Sequence, residues 1–152
     1  MENQEQEKKV VQEPNRGKWA LGRMIVGIIS MVLFVLVAFQ SCAAGLGNSL
    51  SGNGEVSGSF GILTAILMLV AGIVGVATRN SNKAGGPITC CVFYWICFFF
   101  SRIGAGSYAD LRIWGVLAFF FGCVYLFSAM KTKKSNIIAA VIAVIYFILG
   151  MI

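Results

Sequence analysis

The sequence has no histidine and only six acidic residues in 152. The absence of histidine excludes a His-ligated metal site. Beyond residues 1–18, the only carboxylate side chains belong to Glu55 and Asp110, which is little material for acid–base hydrolysis. The glycines before Pro87 lack the Lys and Ser/Thr that follow in a phosphate-binding loop. We therefore expect no enzymatic activity, no metal and no cofactor.

Charged residues are also scarce, at 12% of the chain against about 25% in soluble proteins. None of them falls near the middle of a long apolar run. Ion-coupled transporters, proton relays and voltage sensors keep ionisable groups inside the membrane, so we expect none of these mechanisms. The net charge of +6 lies mostly in the N-terminal tail and in short turns. Retention of positive loops in the cytoplasm explains it, and we expect no nucleic-acid partner.

Apolar residues are abundant, at 58% of the chain. They form runs close to the roughly 20 residues that cross a hydrocarbon core as a helix. The predicted spans are 20–44, 60–78, 88–103, 111–130 and 137–152. The second and third spans form a central hairpin, because a basic turn over 79–87 that ends in Gly-Gly-Pro separates them.

These runs predict an all-α integral membrane protein, a bundle of five transmembrane helices. Residues 1–18 are predicted to be a polar, disordered cytoplasmic tail, and residues 19–152 a single transmembrane helical domain. The last run, Ile137 to Ile152, is short for a full crossing. The alternative is therefore four spans plus a C-terminal interfacial helix.

The basic residues predict the orientation. Of the 12 Lys and Arg residues, only Arg102 and Arg112 fall outside when the N-terminus is placed in the cytoplasm and the C-terminus outside. Arg23 lies in the first span and is expected to extend back to the headgroups. The stretch 45–59 is rich in Gly, Ser and Asn and is predicted to be a flexible outer loop.

Small residues spaced four apart mark three predicted faces for close helix packing. They are Ala71 and Gly75, Ala118 and Gly122, and Ala139 and Ala143. In lipid, helices associate where small residues let their backbones approach. The five cysteines match no zinc-binding spacing and are expected to pack as small apolar residues.

A charge cluster is predicted at the outer turn between the third and fourth spans. Arg102, Asp110 and Arg112 lie at the adjoining ends of these spans. Charges at a membrane boundary are usually paired or extended to water. We expect a salt bridge that closes the turn, and the alternative is a substrate site at an outward mouth.

Two stretches carry a resemblance to other proteins. Residues 72–79 read Gly-Ile-Val-Gly-Val-Ala-Thr-Arg, residues 82–86 read Asn-Lys-Ala-Gly-Gly, and residues 109–115 read Ala-Asp-Leu-Arg-Ile-Trp-Gly. This part of the chain resembles small uncharacterised polytopic membrane proteins of Gram-positive bacteria. The resemblance implies a bacterial cell membrane, and it carries over no activity and no functional residue.

Two function classes follow. The first is a non-enzymatic interaction or accessory subunit of a membrane complex, indicated by the small-residue faces and the lack of polar chemistry inside the spans. The second is a homo-oligomeric pore or small-solute carrier, whose path would be lined by backbone groups and hydroxyls. The hydroxyls are those of Thr64, Thr89, Ser101 and Ser128. The expected partners are the lipid bilayer and either a larger membrane complex or further copies of this chain.

The predicted orientation is testable with a reporter that is active only outside the cytoplasm. Fusions after Gly52 or Ile152 are expected to be active, and fusions after Lys83 or Lys133 silent, because of the distribution of basic residues. Activity at Lys83 with silence at Gly52 would invert the orientation. Silence at Ile152 alone would leave four spans.

Overall fold

The computed structural model describes residues 16–81 and 83–132 of the chain. These residues form four helices and no strand. The helices are α1 (Arg16–Ser51), α2 (Ser57–Ala77), α3 (Gly85–Ile103) and α4 (Ala109–Thr132). Each is long and apolar enough to cross a membrane. The all-α transmembrane bundle is thus confirmed, with four described spans, and the predicted fifth span with Ala139 and Ala143 lies outside the described residues.

The connections between the helices are short, so consecutive helices run antiparallel. α1 packs on α2, α2 on α3 and α3 on α4, and contacts between α1 and α4 close the arrangement. We name the two ends by the predicted orientation. The inner end carries the α2–α3 turn, described at residues 78–81 and 83–84, and the outer end carries the turns at residues 52–56 and 104–108.

The predicted outer loop over 45–59 is wrong for most of its length. α1 continues to Ser51 and α2 begins at Ser57, which leaves a turn of residues 52–56. The Gly- and Ser-rich segment is helical because it packs closely on α2: a Cβ placed on Gly58 would lie only 2.5 Å from the Cα of Gly45. In the turn itself, Gly52 and Gly54 have φ values of 59° and 69°, a conformation that favours glycine.

α1 and α2 are held together by a seam of small residues. A Cβ on Gly27 would lie 2.8 Å from the carbonyl oxygen of Gly72, and a Cβ on Gly72 would lie 2.7 Å from that of Gly27. One turn further on, the Ser30 hydroxyl donates a hydrogen bond to the carbonyl of Met68 at 2.8 Å. The two backbones therefore approach directly, as small residues allow in a membrane.

Aromatic rings fill the space between α3 and α4. Tyr94 is buried and stacks on Tyr125 at 5.7 Å between ring centroids. One turn away, Trp95 stacks on Phe119 at 6.3 Å. These rings supply packing area between helices.

The structure places the predicted small residues of α2 and α4 at contacts inside the protomer. Ala71 and Ala118 are fully buried. Gly75 lies against the hydroxyl of Tyr125, and a Cβ on Gly122 would lie 2.6 Å from the indole of Trp95. The close-approach faces of these two helices thus pack against partners within one chain.

Gly75→Leu is expected to destabilise the protein by about 1–3 kcal/mol, because the added side chain must displace Tyr125 from a packed interior. Ile73→Leu is the matched control, since Ile73 is 51% exposed and its replacement should change stability by less than about 0.5 kcal/mol. Thermal unfolding of both variants in one detergent measures the difference. Equal stability would contradict the contact.

Candidate functional site

The most unusual polar group of the described bundle is Arg23, which is only 3% exposed. The expectation that it extends to the headgroups is wrong. Arg23 begins a buried face of α1 that continues one and two turns later with Gly27 and Ser30. Because residues three or four apart share a helix face, the side chain points toward the other helices and not toward lipid.

The Arg23 guanidinium contacts two other elements at the inner end. Its Nε donates to the Ser128 hydroxyl at 2.5 Å, and Nη2 donates to the Ser128 carbonyl at 3.3 Å. Its Nη1 donates to the Ser81 carbonyl at 3.3 Å. The planar fork of an arginine suits several acceptors at once. One side chain of α1 thereby binds both α4 and the α2–α3 turn.

Tyr125 completes this arrangement from α4. Its hydroxyl donates to the Arg23 backbone carbonyl at 2.8 Å. The hydroxyl reaches that position because Gly75 leaves it room, and a Cβ on Gly27 would come within 3.3 Å of it. We call Arg23, Ser81, Tyr125 and Ser128 the inner node.

The inner node acts as a structural clamp between helices. An arginine stays protonated in proteins and has no acceptor, so it does not transfer protons. A buried charge is costly unless hydrogen bonds satisfy it, and removing the partners of such a charge is strongly destabilising. The node therefore fixes the relative positions of α1, α4 and the inner turn.

A second set of hydrogen bonds joins α1 to α4 at the outer end. The side-chain oxygen of Gln40 accepts from the Trp114 indole nitrogen at 2.8 Å and from the Tyr108 hydroxyl at 3.3 Å. Burial raises the pKa of the Tyr108 hydroxyl, which keeps it a donor. Trp114 and Tyr108 thus have specific partners in addition to their place at the membrane boundary.

Glu55 connects the two outer turns. Its Oε2 accepts from the backbone nitrogen of Ser107 at 3.0 Å and from the Ser107 hydroxyl at 2.5 Å. Gly106 has a φ of 50°, and a Cβ there would lie 2.7 Å from Oε2. The two hydrogen bonds lower the pKa of Glu55. Their contribution to stability is therefore present above the unfolded pKa and is lost as the pH falls through the lower folded value.

The predicted outer charge cluster does not form as an ion pair. The side chains of Arg102, Asp110 and Arg112 are all exposed, and no ion pair joins these three residues in the structure. Asp110 and Arg112 are two positions apart on α4, a spacing at which helical side chains do not face each other. The carboxylate that binds the outer α3–α4 turn is that of Glu55.

The cysteines serve packing where they are buried. The Cys90 and Cys97 thiols donate weak hydrogen bonds to the carbonyls of Ala71 and Thr64, at 3.4 and 3.6 Å. All five cysteines are free. Among the described residues, no three His, Cys, Asp or Glu side chains group so that they could hold a metal ion.

Sequence reasoning missed the inner node and the Gln40 contacts. A detectable signal was the spacing of Arg23, Gly27, Ser30, Val37 and Ser41, which are all buried on one face of α1. Small and polar residues at intervals of three, four and seven mark a face that packs against protein, because lipid offers no hydrogen-bond partner.

No family model, no curated protein and no solved structure matches this chain. The resemblance to small membrane proteins of Gram-positive bacteria therefore stays a prediction.

Replacing Arg23 is expected to lower the stability of the protein, because the hydrogen bonds that join the helices at the inner end are lost. Arg23→Gln should cost about 1.5–3 kcal/mol, the range for hydrogen bonds to a charged group. Arg23→Lys keeps the charge but loses the fork, so it should recover only part of this loss. Thermal unfolding in detergent measures both variants.

Lys83→Gln is the control for Arg23→Gln, because it removes an exposed basic residue of the same end. Its effect should stay below about 0.5 kcal/mol. If Arg23→Gln were as stable as Lys83→Gln, the inner node would not be a clamp.

Proposed function

We propose that this protein is a non-enzymatic subunit that interacts with, or is accessory to, a larger complex in the membrane. The observation that carries the proposal is the coverage of α1. In its apolar window 22% of the residues are buried, against 39–44% in the other three described spans. α1 is therefore the least buried of the four described helices.

The uncovered face of α1 is continuous and apolar. Val32, Val35 and Phe39 are 60%, 61% and 76% exposed, and they follow one another at intervals of three and four residues on one helix face. With 36 residues, α1 is about 54 Å long at ~1.5 Å per residue. The hydrocarbon core is about 30 Å thick, so α1 also offers surface beyond it.

The interior of the protomer supports a scaffold more than a conduction path. The buried hydroxyls of Ser30, Ser41 and Ser101 donate to the carbonyls of Met68, Val37 and Phe98. These three hydroxyls are satisfied within the chain and need no water or solute as a partner, whereas the buried hydroxyl of Thr64 has no hydrogen-bond partner among the described residues.

The alternative function, a homo-oligomeric pore or carrier, receives less support. Of the four hydroxyl residues expected to line a shared path, Thr64, Ser101 and Ser128 are buried within the protomer, and Ser128 binds Arg23. Thr89 is exposed, and its hydroxyl donates to the carbonyl of Gly85. A path between protomers requires such groups on the outer surface.

Site-specific photocrosslinking in native membranes tests the proposal. A photoreactive residue at Val35, on the uncovered face of α1, is expected to capture one different membrane protein. That protein should also co-purify with the full chain at a fixed molar ratio in mild detergent. The matched control is the same residue at Ile73 of α2, which is 51% exposed and should give only weak adducts.

Two other outcomes of the crosslinking would count against the proposal. A crosslink from Val35 to a second copy of the chain would favour the homo-oligomeric alternative. Equal labelling of many membrane proteins from Val35 and Ile73 would contradict a specific partner on α1.

A further inference from the structure

Two open grooves lie on the membrane-facing surface of the described helices. The α1 groove has a volume of about 530 Å³ and is lined by Ile28, Met31, Val32, Val35 and Leu36. The α4 groove has a volume of about 410 Å³ and is lined by Arg112, Ile113, Val116, Leu117 and Phe120. They differ in chemistry, because the α1 groove is lined by apolar residues alone and the α4 groove includes an arginine.

The lining residues of the α4 groove are ordered along one helix face. Ile113, Val116, Leu117 and Phe120 are three and four positions apart and therefore adjacent on the surface of α4. From Arg112 to Phe120 the groove extends about 12 Å along the helix axis. Arg112 lies in the first turn of α4, so the charged end of the groove is at the end of the span and the apolar part runs toward its middle.

Arg112 places one positive charge at the mouth of this groove. Arg112 is exposed and forms no ion pair with Asp110 or with another described carboxylate. The outer end also carries the carboxylate of Glu55, which accepts from Ser107, and that of Asp110, which is two positions from Arg112 and so does not face it on α4. Arg102, at the end of α3, adds a second exposed positive charge to the same outer end of the bundle.

We propose that the α4 groove binds an anionic phospholipid, with the phosphate at Arg112 and an acyl chain along Ile113, Val116 and Phe120. A guanidinium forms paired, charge-assisted hydrogen bonds with phosphate oxygens. A hydrocarbon chain fills an apolar groove at the membrane without any polar group left unpaired. Charge complementarity selects an anionic headgroup over a zwitterionic one, whose ammonium group would lie near Arg112. This site is separate from the uncovered face of α1 and does not depend on the proposed function.

The purified full chain in phosphatidylcholine nanodiscs tests the site. Phosphatidylglycerol with a fluorescent acyl chain is the probe, and its binding is compared with that of a phosphatidylcholine probe of the same chain length. The wild-type protein is expected to prefer phosphatidylglycerol about five-fold, the effect of one basic group near a membrane surface. Arg112→Gln should abolish the preference, and Arg112→Lys should retain most of it because the charge remains.

Arg102→Gln is the matched control, since it removes an exposed arginine of the same end that does not line the groove. It should keep the preference within about two-fold. An equal loss in Arg102→Gln would assign the preference to the general surface potential and overturn the site. Displacement of the probe by inorganic phosphate alone would overturn a lipid as the occupant, and so would an unchanged preference in Arg112→Gln.

Discussion

The bundle depends on the partners of one buried charge. Arg23 lies on α1, and its guanidinium binds the hydroxyl and carbonyl of Ser128 on α4 and the carbonyl of Ser81 in the inner turn. A buried cation without acceptors would be costly, so the first and last described helices must meet at this end. Gly75 is needed for this contact between α1 and α4, because a larger side chain would exclude the Tyr125 hydroxyl from the Arg23 carbonyl. At the other end of α1, Gln40 accepts hydrogen bonds from Trp114 and Tyr108, so polar contacts join α1 to the α4 side of the bundle at both ends.

Between these two ends the helices are held together by close packing of their backbones and side chains. Lipid removes the hydrophobic drive that joins helices in water, and backbone contact through small residues takes its place. The approach of Gly27 to Gly72 and of Gly45 to Gly58 shows this for α1 and α2. The same contact explains why a Gly- and Ser-rich stretch that is typical of a loop remains helical as far as Ser51. Between α3 and α4, Tyr94 stacks on Tyr125 and Trp95 on Phe119, so aromatic rings supply the packing there.

Polar contacts in the described interior and open apolar areas on the surface have different roles. The polar groups that bind Arg23 and Gln40 hold the helices together through hydrogen bonds. What remains available lies on the surface: the uncovered apolar face of α1 and the groove of α4 that begins at Arg112. The two surfaces differ in their chemistry, because the described lining of the α1 groove is apolar and that of the α4 groove includes Arg112.

The sequence by itself determined the class of the protein, the central hairpin and the approximate position of four spans. These features follow from hydropathy along the chain, because in lipid a helix satisfies its own backbone hydrogen bonds locally. It also predicted that Ala71, Gly75, Ala118 and Gly122 form contact faces, although not what they contact. Only the tertiary structure decided which way each helix is rotated. Rotation buries Arg23 against Ser128, 105 residues away, and it makes Glu55, rather than Asp110, the carboxylate that binds the outer α3–α4 turn. Such pairings depend on helices that are distant in the chain, and no local pattern of charge or hydropathy specifies them.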